Sequence, residues 1–439
     1  MMFWRDGCEY VNHPISADLA IDGGVPVISR EFVVRNTMGP EEEQAAVDVI
    51  RSGVLSRFQA SAGDDFLGGP QVRAFEEEWA DYFGVRYAIS VNSWTSGLIA
   101  IVGALDIEPG DEVLVTPWTM SASATAIIQW NAIPVFVDID RASFCLDPSL
   151  LEQHITPRTK AIMSVDIFGQ SASMEAINTI AAQHNLSVVS DCAQAPGAWR
   201  NGRRAGTLGT IGGYSLNYHK HVHTGEGGMI VTDDPDLALR TQLIRNHGEA
   251  VVDAMGVTAI NNIVGFNFRL GEIEAAIGRC QLRRLESQTS RRTELAEMLN
   301  EGLGDLMGLQ TPQVTPGNDH VFYMYGLQVD PEALGVSRDW IYQALTAEGV
   351  QGLARQYTNI HRLPMYTQRT AFGSEGFPWT LQKSDASASY GLGACLVAED
   401  LQERTYLGIE LCSFAYTDED ITDTVNAFRK VWSHIGVAS

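Results

Sequence analysis

Two periods of apolar and polar residues take turns along this chain. From Pro40, PEEEQAAVDVIRSG has acids in its first turn, apolar residues at helical spacing and Gly53 at its end, which predicts a helix. GGPQVRAFEEEWADYFG repeats that style up to Gly84. The text then changes to short apolar runs rich in β-branched residues: YAISVN, EVLVTP, IPVFVDID, KAIMSVDIFG and LSVVSDCA. Such runs suit strands buried on both faces. Helical patterns lie between them, among them SGLIAIVGAL, SATAIIQWN and MEAINTIAAQHN. This alternation predicts an α/β chain with a doubly wound, mostly parallel sheet. IGGYSLN and GGMIVTDD add two strands around a loop at 217–227.

Near residue 270 the strand signal fades, and GEIEAAIGRCQLRRLESQTSRRTELAEMLNEGL reads as long helix. Beyond Gly317 come a strand-like FYMYGLQV, a helix SRDWIYQALTAEGV, an irregular segment at 356–380 and a helix EDITDTVNAFRKVW. The pattern divides the chain into an N-terminal arm at 1–35, a large α/β domain at 36–285 and a smaller α+β domain at 286–439. No internal repeat interrupts it.

Composition narrows the partners. Thirty Lys and Arg against 54 Asp and Glu give a formal charge of −24 over 439 residues. That field repels phosphodiester backbones and anionic lipid, so no nucleic-acid or membrane partner is expected. The most apolar stretch, Leu98 to Leu105, is too short to span a bilayer. The start, MMFWRDGCEY, carries charge where an export signal would be apolar, which predicts a cytoplasmic chain. Cys8, Cys145, Cys192, Cys280, Cys395 and Cys412 lie far apart with no CxxC pair, the pattern of reduced, mostly buried thiols.

Candidate chemistry gathers just past predicted strands, where an open α/β sheet places its active groups. VNSWTSGL runs from a strand end into a helix through Ser93, Thr95 and Ser96, and free amides there can cradle a phosphate. Taken alone it reads better as a helix cap. Asp191 ends an apolar strand in VVSDCAQAPGA, where a carboxylate can cap a helix, bind metal or pair with a protonated ring nitrogen. Ser215 ends the strand of GGYSLNYHKHVHTGEGG, and Lys220 follows in a loop before a Gly-rich turn. A lone loop lysine is usually a solvated charge. Together, however, these are the parts of a pyridoxal 5′-phosphate site: an amine for the Schiff base, an acid for the pyridine nitrogen and a phosphate cradle.

The motifs GGPQVRAFEEEWADYFG, PVFVDID, TPRTKAIMSVDIFGQSASM, SDCAQAPGA, YSLNYHKHVHTGEGG and GFNFRLGEIEAAIGRCQL, in this order, resemble the DegT/StrS sugar aminotransferases, enzymes of the fold-type I aminotransferase class. The resemblance implies Lys220 as the Schiff-base lysine and Asp191 as the partner of the ring nitrogen. It places Gln194 beside the ring's phenolic oxygen and Ser215 at the phosphate. The phosphate turn falls on Ser93, Trp94 and Thr95. Asn267 matches an Asn that reaches the phosphate of a neighbouring subunit, implying a homodimer with shared sites. Two positions depart from the family. Trp94 replaces a usual Gly, and a bulky side chain there is expected to face solvent or substrate. Met120, in TPWTMSASA, replaces an aromatic that stacks on the ring, a role open to Met120 or Trp118.

Arg57, Tyr357, His361 and Arg362 are substrate-binding candidates, with Arg355 as a further cation for a phosphorylated substrate; ordinary loop packing explains Tyr357, His361 and Arg362 equally well. His219, His221 and His223 have a metal-like spacing, but no Cys or carboxylate cluster lies near them in sequence, so polar packing about the site is expected. The resemblance makes Asp138 and Asp140 structural loop residues. Arg203-Arg204 reads as a surface turn and Arg291-Arg292 as the solvated face of a helix. The implied activity is transamination of a keto-sugar, nucleotide-linked and keto at carbon 3 or 4, with glutamate as amino donor. Its product would be an amino sugar for a surface polysaccharide or secondary metabolite. A free cyclitol ketone or keto-sugar acid is the alternative substrate. A dehydratase of the same family would carry His in place of Lys220, and a non-catalytic regulatory member would not need that lysine.

Overall fold

Strands that are apolar on both faces must be sandwiched between helices, and the computed structural model has that layering. It describes residues 16–381 and 389–435; Cys8 and positions 1–15 of the expected arm lie outside the described residues. The elements run α1 (Pro40–Ser52), α2 (Pro70–Phe83), β1 (Tyr87–Val91), α3 (Trp94–Ala104), β2 (Glu112–Val115), α4 (Ala122–Gln129) and β3 (Ile133–Phe136). Next come β4 (Thr159–Val165), α5 (Met174–His184), β5 (Ser187–Asp191) and a small hairpin of β6 (Trp199–Arg200) and β7 (Arg203–Arg204). β8 (Ile211–Ser215), β9 (Gly228–Thr232), α6 (Pro235–Arg245), α7 (Glu272–Arg283) and α8 (Leu285–Leu303) follow. The last part holds β10 (Leu309–Gln310), β11 (Tyr325–Val329), α9 (Pro331–Leu334), α10 (Arg338–Ala347) and β12 (Leu353–Ala354). It ends with α11 (Pro364–Thr367), α12 (Leu396–Asp400), β13 (Tyr406–Ile409) and α13 (Asp418–Trp432).

The main sheet has seven strands in the order β1-β9-β8-β5-β4-β2-β3. Only β9 runs against its neighbours, pairing antiparallel with both β1 and β8. Its buried core joins Ile89, Leu98, Leu114, Ile127, Val135, Ile162 and Val189 from strands and helices on either side. The second sheet is antiparallel, in the order β10-β11-β13-β12. Its core draws on Leu299, Leu327, Ile341, Leu407 and Phe428.

Four features depart from the pattern read in the sequence. The single long helix expected from residue 272 is two, α7 and α8, parted at Arg284. α6 carries no clean apolar stripe because it buries Arg240 and Arg245 along with its leucines. Residues 16–35 do not hang free: Leu19, Ile28 and Phe32 are buried in the core of the second sheet. The irregular segment after 356 turns the other way, and Ile360, Tyr366, Trp379 and Cys395 complete the core of the main sheet. The five cysteines within the described residues are all buried and unpaired.

Candidate active site

Strands that share a direction bring their carboxyl ends to one edge of the sheet. At that edge lie Ser93–Thr95 after β1, Met120 after β2, Asp191 at the end of β5, Ser215 at the end of β8 and Gly228 at the start of β9. Ser93 is the N-cap of α3, accepting from Ser96 N at 3.1 Å. Its hydroxyl therefore caps the helix, as the sequence alone suggests. The amides of Trp94 and Thr95, which open the helix, have no partner in the preceding turn and can take an anion. A Cβ on Gly228 would lie 2.9 Å from the backbone N of Trp94, so β9 closes onto this turn only as glycine. Ser215 is buried at the same edge, and its Oγ accepts from Asn217 N at 3.3 Å.

Trp94 does not face solvent or substrate. It is buried, and its indole Nε1 donates to Asp191 Oδ1 at 2.7 Å. The other carboxylate oxygen, Oδ2, accepts from Ser123 Oγ at 2.8 Å, and Ser123 in turn meets Thr119 Oγ at 3.0 Å. Burial pushes the Asp191 carboxyl up, while the bonds from Trp94 and Ser123 pull it back. Behind it, burial holds the Asp166 carboxyl at about 6, against bonds from Ala172 N and Ser190 Oγ.

Lys220 is buried in the loop between β8 and β9. Arg35 clamps that loop, donating to the carbonyls of Lys220 at 2.8 Å and of His221. The lysine Nζ lies 4.4 Å from the centre of the Tyr323 ring. Among the described residues no carboxylate is within ion-pair distance of it. Burial lowers the amine to about 8, opposed by the field of Asp191. A cavity of about 520 Å³ adjoins the loop, lined by Arg35, His219, His223, Tyr323 and Cys412.

Gln194 is fixed from both ends: Oε1 accepts from Phe168 N at 3.0 Å, and Nε2 donates to the Tyr357 hydroxyl at 2.9 Å. Tyr357 is thus drawn to the sheet edge from the distant irregular segment. Its ring stacks on Trp118, centroids 5.5 Å apart. Trp118 is itself wholly buried among Phe144, Phe168 and Tyr406, which commits it to packing. Met120 is 64% exposed and is the side chain left free at this position. Asn267 is exposed, and its carbonyl accepts from Asn92 Nδ2 at 3.3 Å beside the phosphate turn.

The structure does not gather the other candidates at the edge. His361 is fully buried, bonded to Glu399 at 2.9 Å, and supports the wall from behind. Arg362 pairs with Glu403 at 2.5 Å, Arg57 with Asp65 at 3.3 Å and Arg355 with Asp339 at 3.4 Å. The three alternating histidines diverge: His221 bonds Val321 O and His223 meets Thr37 Oγ1, each at 2.9 Å. Asp138 caps α12, accepting from Val397 and Ala398 amides. Arg292, read as solvated, is buried with Nε on Cys412 Sγ at 3.2 Å. Ser123, Tyr323 and Arg35 were not singled out from the sequence; of these only Ser123 lies in a motif, TPWTMSASA, that pointed to the site.

A buried amine without an acid partner, a carboxylate held by two donors and a helix-end anion cradle fit pyridoxal 5′-phosphate. Comparison with known proteins points the same way. Residues 54–403 match the DegT/DnrJ/EryC1/StrS aminotransferase family. The GDP-perosamine synthase of Caulobacter vibrioides is 39% identical over 293 residues, 66% of this chain and 77% of that protein. The L-glutamine:2-deoxy-scyllo-inosose aminotransferase of Streptoalloteichus tenebrarius is 30% identical over 430 residues, 95% of this chain and 98% of that protein. Among solved structures, the aminotransferase from Psychrobacter cryohalolentis superposes with a TM-score of 0.78 at 28% identity, covering 92% of this chain and all of that one.

Proposed function

We infer, from the premise that this chain belongs to the DegT/DnrJ/EryC1/StrS aminotransferase family, that it aminates a nucleotide-linked 3- or 4-keto-deoxy sugar with glutamate as donor. The observation that carries this reading is Lys220, buried, free of an acid partner and lowered to about 8, in the field of Asp191. Such an amine is a proton carrier at neutral pH: it takes a proton from the donor's α-carbon and returns one to the carbon that was the ketone. Pyridoxal 5′-phosphate, when bound, supplies the electron sink that makes the α-proton acidic. Asp191 would hold the proton at its ring nitrogen, the α3 amides and Ser215 would hold its phosphate, and Gln194 would stand at its phenolic oxygen. The packed aromatic wall of Trp118, Phe168 and the half-buried Tyr357 would limit the access of bulk water to the reacting carbon.

The family resemblance implies a homodimer in which each subunit completes the other's site, and Asn267, exposed in the single chain, is the residue that would reach across. Sedimentation of the holoenzyme should give a dimer at working concentration; a fully active monomer would reject shared sites.

The identity shared with a GDP-sugar enzyme supports the nucleotide-linked substrate. One observation favours a second reading, a free cyclitol ketone. Arg57, Arg355 and Arg362 each face an acid, and a diphosphate must compete with those acids in a chain of net −24. The deciding experiment offers the holoenzyme glutamate with nucleotide-linked keto-sugars and with unphosphorylated cyclitol ketones. The nucleotide form should win in kcat/KM by about a hundredfold, the worth of two charge-assisted contacts at roughly 1.4 kcal/mol each. Equal or better reaction of the free ketone replaces the nucleotide reading with the cyclitol one.

A further inference from the structure

We propose that Trp94 is a positioning residue that holds Asp191 as a carboxylate against the cofactor's ring nitrogen, joining that anchor to the phosphate turn through one rigid side chain. This rests on the aminotransferase reading of the site. Trp94 opens α3, so its backbone belongs to the anion cradle, while its indole N–H reaches Asp191 at 2.7 Å. Both ends of a bound cofactor would therefore be registered by the same residue.

The slot for the indole is built into the fold. A Cβ on Gly213 in β8 would lie 2.4 Å from Trp94 Cη2, and one on Gly97 would lie 2.8 Å from Cε3. At Gly97 the ring offers the nearest atoms a Cβ would meet; at Gly213 a Cβ would also meet Met229 O at 2.1 Å, so that glycine serves the strand pairing as well as the ring. Simple core filling does not explain the N–H bond, because Trp79 and Trp118 are buried here with Nε1 unpartnered. The electrostatic consequence is direct. A carboxylate and a pyridine sharing one proton in a dry site can be an ion pair or a neutral pair. Two neutral donors on the carboxylate, Trp94 and Ser123, favour the ion pair, with the proton on nitrogen. Without the indole N–H the carboxylate becomes the stronger base and draws the proton from the ring.

The test compares binding of two cofactors to the apo protein by fluorescence titration: pyridoxal 5′-phosphate, and its deaza analogue with CH in place of the ring nitrogen. The ratio of the two dissociation constants reports the contact between ring nitrogen and Asp191. Trp94→Phe keeps most of the apolar volume and removes the donor. It should shrink the ratio by roughly tenfold, the worth of one hydrogen bond to a charged group. A merely structural role would weaken both cofactors alike, and an unchanged ratio in Trp94→Phe overturns the proposal. Gly97→Ala retains the indole but drives it from its slot, and should also shrink the ratio; it carries the test if Trp94→Phe does not fold. If the unaltered protein itself fails to discriminate between the two cofactors, the fault lies in the assignment of Asp191 to the ring nitrogen and not in Trp94.

Discussion

Replacing Lys220 with Ala should abolish turnover and the absorption band of cofactor bonded to the lysine, while leaving the protein folded. Loss of a positioned acid–base group alone costs roughly 10²–10⁴ in rate. Loss of the covalent anchor adds to that, because every turnover must release and re-form the bond at this amine. The fold should survive because, among the described residues, Nζ makes no ion pair; it lies over the Tyr323 ring. The lowered amine also sets a pH dependence. An amine at about 8 is ~10% uncharged at pH 7, whereas one at the ordinary 10.4 is ~0.04% uncharged. The rate at which apo protein captures the cofactor aldehyde should rise to about pH 8 and then level. A rate still climbing towards pH 10 would show a solvated lysine. Many turnovers by Lys220→Ala would remove it from the chemistry.

What could be read in the sequence was what is local. β-branched runs with glycine and proline between them gave the strands of the main sheet, and PEEEQAAVDVIRSG and SRDWIYQALTAEGV gave α1 and α10 close to their observed bounds. The antiparallel run of β9 was not legible. GGMIVTDD is buried on both faces whichever way it points, and only pairing with β1 and β8 decides its direction. α6 was hidden because Arg240 and Arg245 are interior, held by Asp106 and Glu76. A charge in a helix reads as surface until its partner is seen.

The same division runs through the site. Lys220, Asp191, Ser215 and the turn at Ser93–Thr95 stand at strand ends, which alternation locates. The direction of Trp94 was beyond reach. It depends on Gly213, more than a hundred residues away, leaving space in β8 for the indole. Arg57, Arg355 and Arg362 show a different limit. Sequence shows a cation but not Asp65, Asp339 or Glu403, which claim these guanidiniums across loops. His361 fell in a segment that reads as loop and is core, since its ring is buried against Glu399 and Phe136.

Asp191→Asn should keep the fold and retain cofactor, yet lose activity by roughly 10–10³-fold. The magnitude follows from what a single opposite charge does to a titrating neighbour, about one to three pKa units at contact distance. That shift passes into the fraction of cofactor carrying a ring-nitrogen proton, and hence into the electron sink. The amide is the same size, and with its single oxygen toward Trp94 Nε1 it still accepts that bond, while its NH₂ faces Ser123 Oγ. The Ser123 hydroxyl can accept from that NH₂ and turn its own proton to Thr119, so the exchange costs at most about one neutral hydrogen bond, roughly 1 kcal/mol. Against this, removing a desolvated carboxylate relieves the burial that pushes Asp191 up. The melting temperature should therefore change far less than the rate. Single-turnover kinetics with glutamate separate the two effects: the proton-transfer step should slow while donor affinity stays near that of the unaltered enzyme. A variant as fast as the unaltered protein would assign the ring nitrogen to another group, and Asp166, buried just behind at about 6, would be the next acid to test.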